Sequence, residues 1–307
     1  MVAAVFPGQG SQRPGMGKNL ADTYSQAMDV FVQVSDATGI DVCRLCWEAD
    51  EETLRQTHNA QIALFSCSLA AWACLQHRLP ALVRVVAGHS VGEYAALVAA
   101  GVYTVEEGAN LVRTRGVLMN AAGTSAPGTM AAVLGLSREL LEQACEQVEG
   151  IVVIANDNCP GQLVISGEVD AVEKAGFAAN AMGAKRVIPL NVSGAFHSPL
   201  MAAAAARMRA ALEPITPRAP HLAVYANVSS EPVSDASQWP DLLERQLCSP
   251  VRWTESVEHM VRDGVTGFVE CGVGDVLSGL IRRIDKTVPT QRVSDAETLE
   301  QTSAALS

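Results

Sequence analysis

Basic side chains are scarce in this 307-residue chain: 22 Lys and Arg face 33 Asp and Glu, for a formal net charge of −11. Neutralising nucleic-acid phosphates takes an excess of Lys and Arg, so a general nucleic-acid binder is not expected. Long apolar runs are missing too. The small-residue stretches at 95–105 and 201–206 are broken by Gly or Arg well short of the ~20 apolar residues that a bilayer span needs, so no membrane span is expected. Residues 1–6 have no basic flank and run straight into Pro7-Gly8-Gln9-Gly10. They read as an opening strand rather than an export signal, and a cytoplasmic location is expected. Cysteine is present but without a framework. The eight Cys include one pair at motif spacing, Cys43-x-x-Cys46, and no second Cys or His pair completes a zinc site. Reduced thiols packed as small hydrophobes are expected, and no metal.

What is present is core material. With 49% hydrophobic and 18% charged residues the composition is not that of a disordered chain. At ~150 residues per domain, the length allows one large domain carrying a smaller one. Apolar periodicity predicts strands at 2–6, 84–87, 222–226 and 267–271. Between them it predicts helices at 61–77, 91–100, 105–121, 199–212, 253–263 and 276–284. That alternation implies an α/β fold on a parallel sheet. The middle of the chain reads strand 130–134, helix 139–148, strands 151–156 and 162–166, helix 169–182 and strand 185–189. This β-α-β-β-α-β order is that of a ferredoxin-like unit. Turn-rich segments bound it at 123–128 and 191–194. The expected architecture is a large catalytic subdomain, residues 1–123 and 193–307, interrupted by a small ferredoxin-like subdomain at 124–192.

Gly88-His89-Ser90-Val91-Gly92 matches G-x-S-x-G and falls between a predicted strand and a predicted helix. In that context the glycines permit a strained elbow, and the serine hydroxyl projects at a helix N-terminus where developing negative charge is favoured. The Val91 N–H is the natural first oxyanion donor; the bland alternative is a tight structural turn. A serine also needs a base. Of six histidines, His89 adjoins the elbow and reads as a packing residue. His58 precedes a helix, His77 and His259 lie in charged helical patterns, and His221 stands at a strand entrance. His197, in a loop after the small subdomain, is left as the candidate base. No acid between Ser90 and His197 stands out, so a dyad oriented by a carbonyl and a full triad both stay open.

Five segments then carry a likeness spanning the whole chain: Phe6-Pro7-Gly8-Gln9-Gly10-Ser11-Gln12, Gly88-His89-Ser90-Val91-Gly92-Glu93-Tyr94, Arg115-Gly116, Gly194-Ala195-Phe196-His197-Ser198 and Gln246-Leu247-x-x-Pro250-Val251-x-Trp253. In this order and spacing the chain resembles the malonyl-CoA:acyl carrier protein transacylases of fatty-acid synthesis and the related polyketide-synthase acyltransferases. The resemblance implies an α/β-hydrolase-like large subdomain beside the ferredoxin-like one. It implies malonyl transfer from malonyl-CoA to the phosphopantetheine thiol of an acyl carrier protein, by a monomer without metal or redox cofactor. Carried over by position, Ser90 is the nucleophile, His197 the base, Gln9 the second oxyanion donor and Gln246 the residue whose carbonyl orients His197. Arg115 would hold the malonyl carboxylate. A guanidinium offers two parallel N–H donors to such a group, although without the resemblance Arg115 reads as a surface helix residue. Gln61 would line the pocket, with Ile62 after it where the family often has proline. Phe196 matches the form tied to malonyl rather than methylmalonyl selection. A serine thioester hydrolase, a polyketide acyltransferase of other selectivity, and an idle docking subunit are the alternatives.

Other signals fall away. Residues 10–18 lack the glycine and Ser/Thr positions of a phosphate-binding loop, and Gly272-x-Gly274 lacks the third glycine of a dinucleotide site. Arg282, Arg283 and Lys286 form a basic cluster that reads either as solvated helix surface or as a landing place for an acidic carrier protein.

Overall fold

The computed structural model describes residues 1–306, a mixed α/β chain with two sheets. In chain order the strands are β1 (Val2–Phe6), β2 (Val83–Gly88), β3 (Thr129–Leu134), β4 (Val152–Cys159), β5 (Gln162–Gly167), β6 (Arg186–Pro189), β7 (Ala223–Tyr225), β8 (Pro232–Val233), β9 (Val251–Arg252), β10 (Gly267–Cys271) and β11 (Thr290–Val293). The first sheet has the order β11-β10-β1-β2-β7-β8 and is parallel except for its last pair. Strands buried on both faces read as continuous apolar runs rather than alternations, and β1 does: Ala3 to Phe6 have no exposed surface. Phe6 stands opposite Gly88 in the register, so the loops leaving β1 and β2 emerge side by side. The carboxyl ends of parallel strands are where such sheets gather ligands.

Helix Thr57–Arg78 runs through the largest core and is buried for most of its length, from Ala60 to Trp72 without a break. Its Ala, Cys and Ser side chains let helices Ser25–Thr38 and Val105–Ser125 approach closely. Trp72 meets Phe6 edge-on, 6.1 Å between centroids.

The second sheet, β6-β3-β5-β4-β9, is antiparallel apart from β4 and β9. Helices Arg138–Glu146 and Val169–Ala181 contribute to a separate core around Val133, Leu141, Ile154, Ile165 and Val172. β9 comes from outside residues 124–192 and joins this sheet in parallel beside Asn156 and Asp157. β4 also carries two irregularities, at Ile154/Asn156 and Asp157/Cys159, which re-aim the side chains between them.

The sequence reading omitted several elements: helices Ser25–Thr38, Trp239–Gln246 and Ala296–Leu306, and strands β8, β9 and β11. β8 and β9 have two residues each, and β11 (Thr-Gln-Arg-Val) is an edge strand with one buried residue, so none displays a period. His58 lies inside the first turn of its helix, not before it.

Candidate active site

β2 ends at Gly88, and the chain reverses into helix Gly92–Ala99 within three residues. Ser90 takes φ 53°, the left-handed region that a side chain rarely occupies, and its strain is held by the surroundings. A Cβ on Gly88 would sit 2.0 Å from the Gly92 carbonyl group, and one on Gly92 would sit 2.1 Å from Phe6 O. Both positions exclude any side chain. The His89 N–H donates to Phe6 O at 3.0 Å, and the Ser90 N–H donates to Asn227 Oδ1 at 2.8 Å.

His197 is also at positive φ, 57°, and is 3% exposed. Its Nε2 is 2.8 Å from Ser90 Oγ and its Nδ1 is 2.8 Å from the Gln246 carbonyl. A carbonyl oxygen only accepts, so Nδ1 carries the proton and Nε2 is left as an acceptor for the serine O–H. Burial, then the neighbouring Arg115 cation, pushes the imidazole down to about 3. It is therefore neutral, the form a base needs. The group facing Nδ1 is a backbone carbonyl rather than an acid, the geometry of a carbonyl-oriented Ser-His pair and not of a Ser-His-acid triad.

Arg115 is not on the surface. It lies on the inner stripe of helix Val105–Ser125 with Leu111, Val112, Leu118, Met119 and Ala122, and is 1% exposed. A capping box between Thr104 and Glu107 fixes the start of that helix. The guanidinium donates through Nη1 to Gln61 Oε1 (2.8 Å) and through Nη2 to Ser90 Oγ and Gln246 Oε1 (3.0 Å each). It also stands 5.6 Å from the Tyr94 ring centroid, and its Nε has no partner. Gln61 thus braces Arg115, both side chains lying beneath the residues that line the cavity over Ser90, and Ile62 is fully buried.

A cavity of about 350 Å³ opens over Ser90 and His197. Gln9, Gly10, Met119, Met130, Asn156 and Phe196 line it, with Glu51 and Arg55 among its wall residues. Gln9 lines the same cavity as the serine, and among the described residues neither its N–H nor that of Val91 is engaged by another group. His89, read as a packing or turn residue, sits in the turn, packs obliquely near Trp253, bonds Asn158 at 2.8 Å and also lines the cavity.

Glu93, Asn156 and Asn227 were not foreseen as site residues. Glu93 and Asn227 are buried in hydrogen bonds beneath the elbow. Asn156 gave no signal because an irregularity in β4 sets its direction. Arg282 and Arg283, by contrast, are far from empty-handed on the surface: they donate to Thr290 Oγ1 and Gln162 Oε1, neutral groups both. Among the described residues no cluster of His, Cys, Asp and Glu could hold a metal, the cysteines are free, and no helix is long and apolar enough to cross a membrane.

The acyl transferase domain family matches residues 4–299. The chain belongs to that family. The malonyl CoA-acyl carrier protein transacylase of Bacillus subtilis strain 168 is 42% identical over 302 residues, 97% of this chain and 95% of that protein. Its counterpart in Escherichia coli K12 is 41% identical over 295 residues, 95% and 96% of the two chains. Among solved structures, an acyl carrier protein S-malonyltransferase from Vibrio cholerae superposes with TM-score 0.94 at 41% identity, covering 98% of this acyl transferase and 99% of its own chain. A malonyl-transacylase in complex with its type II polyketide synthase acyl-carrier protein gives TM-score 0.95 at 40% identity, with 99% of both chains covered.

Proposed function

We propose that this acyl transferase moves a malonyl group from malonyl-CoA to the phosphopantetheine thiol of an acyl carrier protein through a malonyl-serine ester. The observation that carries the reading is one oxygen with two partners: Ser90 Oγ lies 2.8 Å from a neutral imidazole nitrogen and 3.0 Å from a buried guanidinium. The first partner activates a nucleophile; the second suits an acyl group that ends in a carboxylate. Full-length relatives that carry the malonyl transacylase name support the choice.

In the first half-reaction His197 Nε2 takes the serine proton as Oγ attacks the thioester carbon. The oxyanion rests on the N–H groups of Gln9 and Val91, and the carbon–sulfur bond breaks as His197 returns its proton to the CoA thiolate. In the second, His197 deprotonates the carrier thiol, sulfur attacks the ester, and the proton returns to Ser90 Oγ. Proton transfers and acyl exchange suffice, so the reaction needs no metal or redox cofactor. The malonyl carboxylate takes up Arg115 donors, displacing the bond from Nη2 to Ser90 Oγ, and Phe196 limits the room beside the α-carbon.

Residues 1–123 and 193–307 form an α/β-hydrolase-like subdomain and 124–192 a ferredoxin-like insertion; the strand order β6-β3-β5-β4 and the separate core beneath it support that division. A cytoplasmic monomer completes the picture. The test is the mass of the protein after incubation with malonyl-CoA, followed by a chase with holo acyl carrier protein. A malonyl adduct on Ser90 that passes to the carrier is expected, and none on Ser90→Ala. Robust labelling of Ser90→Ala, or release of the adduct only to water, overturns the proposal.

A further inference from the structure

Glu93 sits in the first turn of the helix after the nucleophile, and it is 1% exposed. A buried carboxylate is costly unless its oxygens are satisfied, and both are. Oε1 accepts the Asn227 backbone N–H at 2.6 Å, and Oε2 accepts from Gln246 Nε2. Each donor goes on to touch the reacting groups. Asn227 takes the Ser90 N–H on Oδ1 and donates through Nδ2 to Gly88 O, which pins the elbow. Gln246 holds His197 through its backbone carbonyl and Arg115 through Oε1.

The amide of Gln246 has two ends, and Glu93, with the Ser90 carbonyl that also accepts from Nε2 at 3.0 Å, fixes which faces where. A carboxylate accepts only from Nε2, so Oε1 is turned to the guanidinium. The hydrogen-bond partners of Arg115 are all neutral: Gln61, Ser90 and Gln246. Tyr94 and then Glu93 act on it against burial, and because burial also holds the Tyr94 hydroxyl protonated, the formal negative charge it feels is that of Glu93, across the amide. A carboxylate bonded directly to Arg115 would occupy the donors that a substrate carboxylate needs. Set back by one amide, it offsets the burial of the cation and leaves Nε without a partner.

We infer that Glu93 is a positioning residue that holds buried Arg115 in place with no carboxylate of the protein bonded to it, leaving it for the acyl carboxylate, and that it acts through the side chain of Gln246. The inference rests on the malonyl-transfer reading and adds a specificity role to an acid outside the reacting pair. Burial pushes Glu93 up to about 7, so it is ionised at pH 8, where the test belongs.

The experiment compares wild type, Glu93→Gln and the double variant Glu93→Gln/Gln246→Glu, each with malonyl-CoA and with neutral acetyl-CoA, alongside thermal melting. Glu93→Gln should lose melting temperature and roughly tenfold or more of kcat/KM for malonyl-CoA, with a smaller loss for acetyl-CoA. The double variant moves the carboxylate into contact with Arg115. Its melting temperature should recover while its KM for malonyl-CoA stays high. A merely structural acid predicts that stability and malonyl transfer recover together, and that outcome overturns the inference; so do equal losses for both thioesters in Glu93→Gln. If Glu93→Gln does not fold, ¹⁵N-glutamine labelling of the wild type decides. The Gln246 side-chain amide, assigned by its loss in Gln246→Met, should be protected from exchange and shifted downfield, and exchange as fast as at exposed glutamines overturns the inference. Wild type that forms no malonyl adduct would instead remove the malonyl-transfer reading itself, which separates the two failures.

Discussion

Replacing Arg115 with Met keeps most of its length on the inner stripe of helix Val105–Ser125 and removes the charge. Two hydrogen bonds from the guanidinium to a carboxylate are worth about 1.5–3 kcal/mol each, together about 3–6 kcal/mol. At about 1.4 kcal/mol per decade, kcat/KM for malonyl-CoA should fall roughly 10²–10⁴-fold. Acetyl-CoA has no carboxylate to lose. The substitution also withdraws the cation that helps depress His197, so the imidazole becomes more basic and acetyl transfer should hold or improve. The assay is steady-state transfer of both acyl groups to holo carrier protein, with thermal melting to verify folding, because Gln61 Oε1 and Gln246 Oε1 each lose a donor. Parallel falls for malonyl-CoA and acetyl-CoA would refute the reasoning. They would mean that Arg115 serves the elbow rather than the acyl group.

Three further outcomes follow from the geometry. Gly88→Ala should destabilise the protein by about 3 kcal/mol or more in urea unfolding, since its Cβ meets backbone 2.0 Å away; an unchanged midpoint would contradict the tight elbow. Phe196→Ala should raise transfer of methylmalonyl relative to malonyl by about 10–200-fold in a competition assay, and an unchanged ratio would remove the ring from selectivity. The third concerns pH and two opposing groups. Burial lowers His197 to about 3 from 6.5, so its contribution to stability is present above 6.5 and drains as pH falls towards 3. Burial raises Glu93 to about 7 from 4.5, so its contribution is full below 4.5 and is lost as pH rises through 7. Between pH 5 and 8 the two largely offset each other in wild type, so urea unfolding should change little there, whereas Glu93→Gln, left with His197 alone, should gain stability as pH rises from 5; the same profile in both proteins would be the contrary result.

The parallel sheet was legible because β1, β2 and β10 are short apolar runs between turn signals, and the elbow because its glycines stand where a strand meets a helix. Arg115 was legible in part. Its spacing from Leu111, Val112, Leu118, Met119 and Ala122 puts it on the apolar stripe, a signal present in the sequence that charge alone obscured. Glu93 gave no such signal, since a carboxylate in the first turn of a helix is an ordinary surface choice. Only the return of Asn227 and Gln246 from more than a hundred residues away explains its burial. β9 was unreadable for a similar reason: two residues have no period, and their pairing with β4 is decided by tertiary contact.

That two-residue strand ties parts of the molecule that the chain keeps apart. Val251 follows Gln246 by a single short turn, and it is stitched beside Asn156, which lines the cavity. The imidazole is thereby placed against the cavity by backbone pairing as well as by its own loop: one short segment carries both the carbonyl on Nδ1 and the strand that borders Asn156.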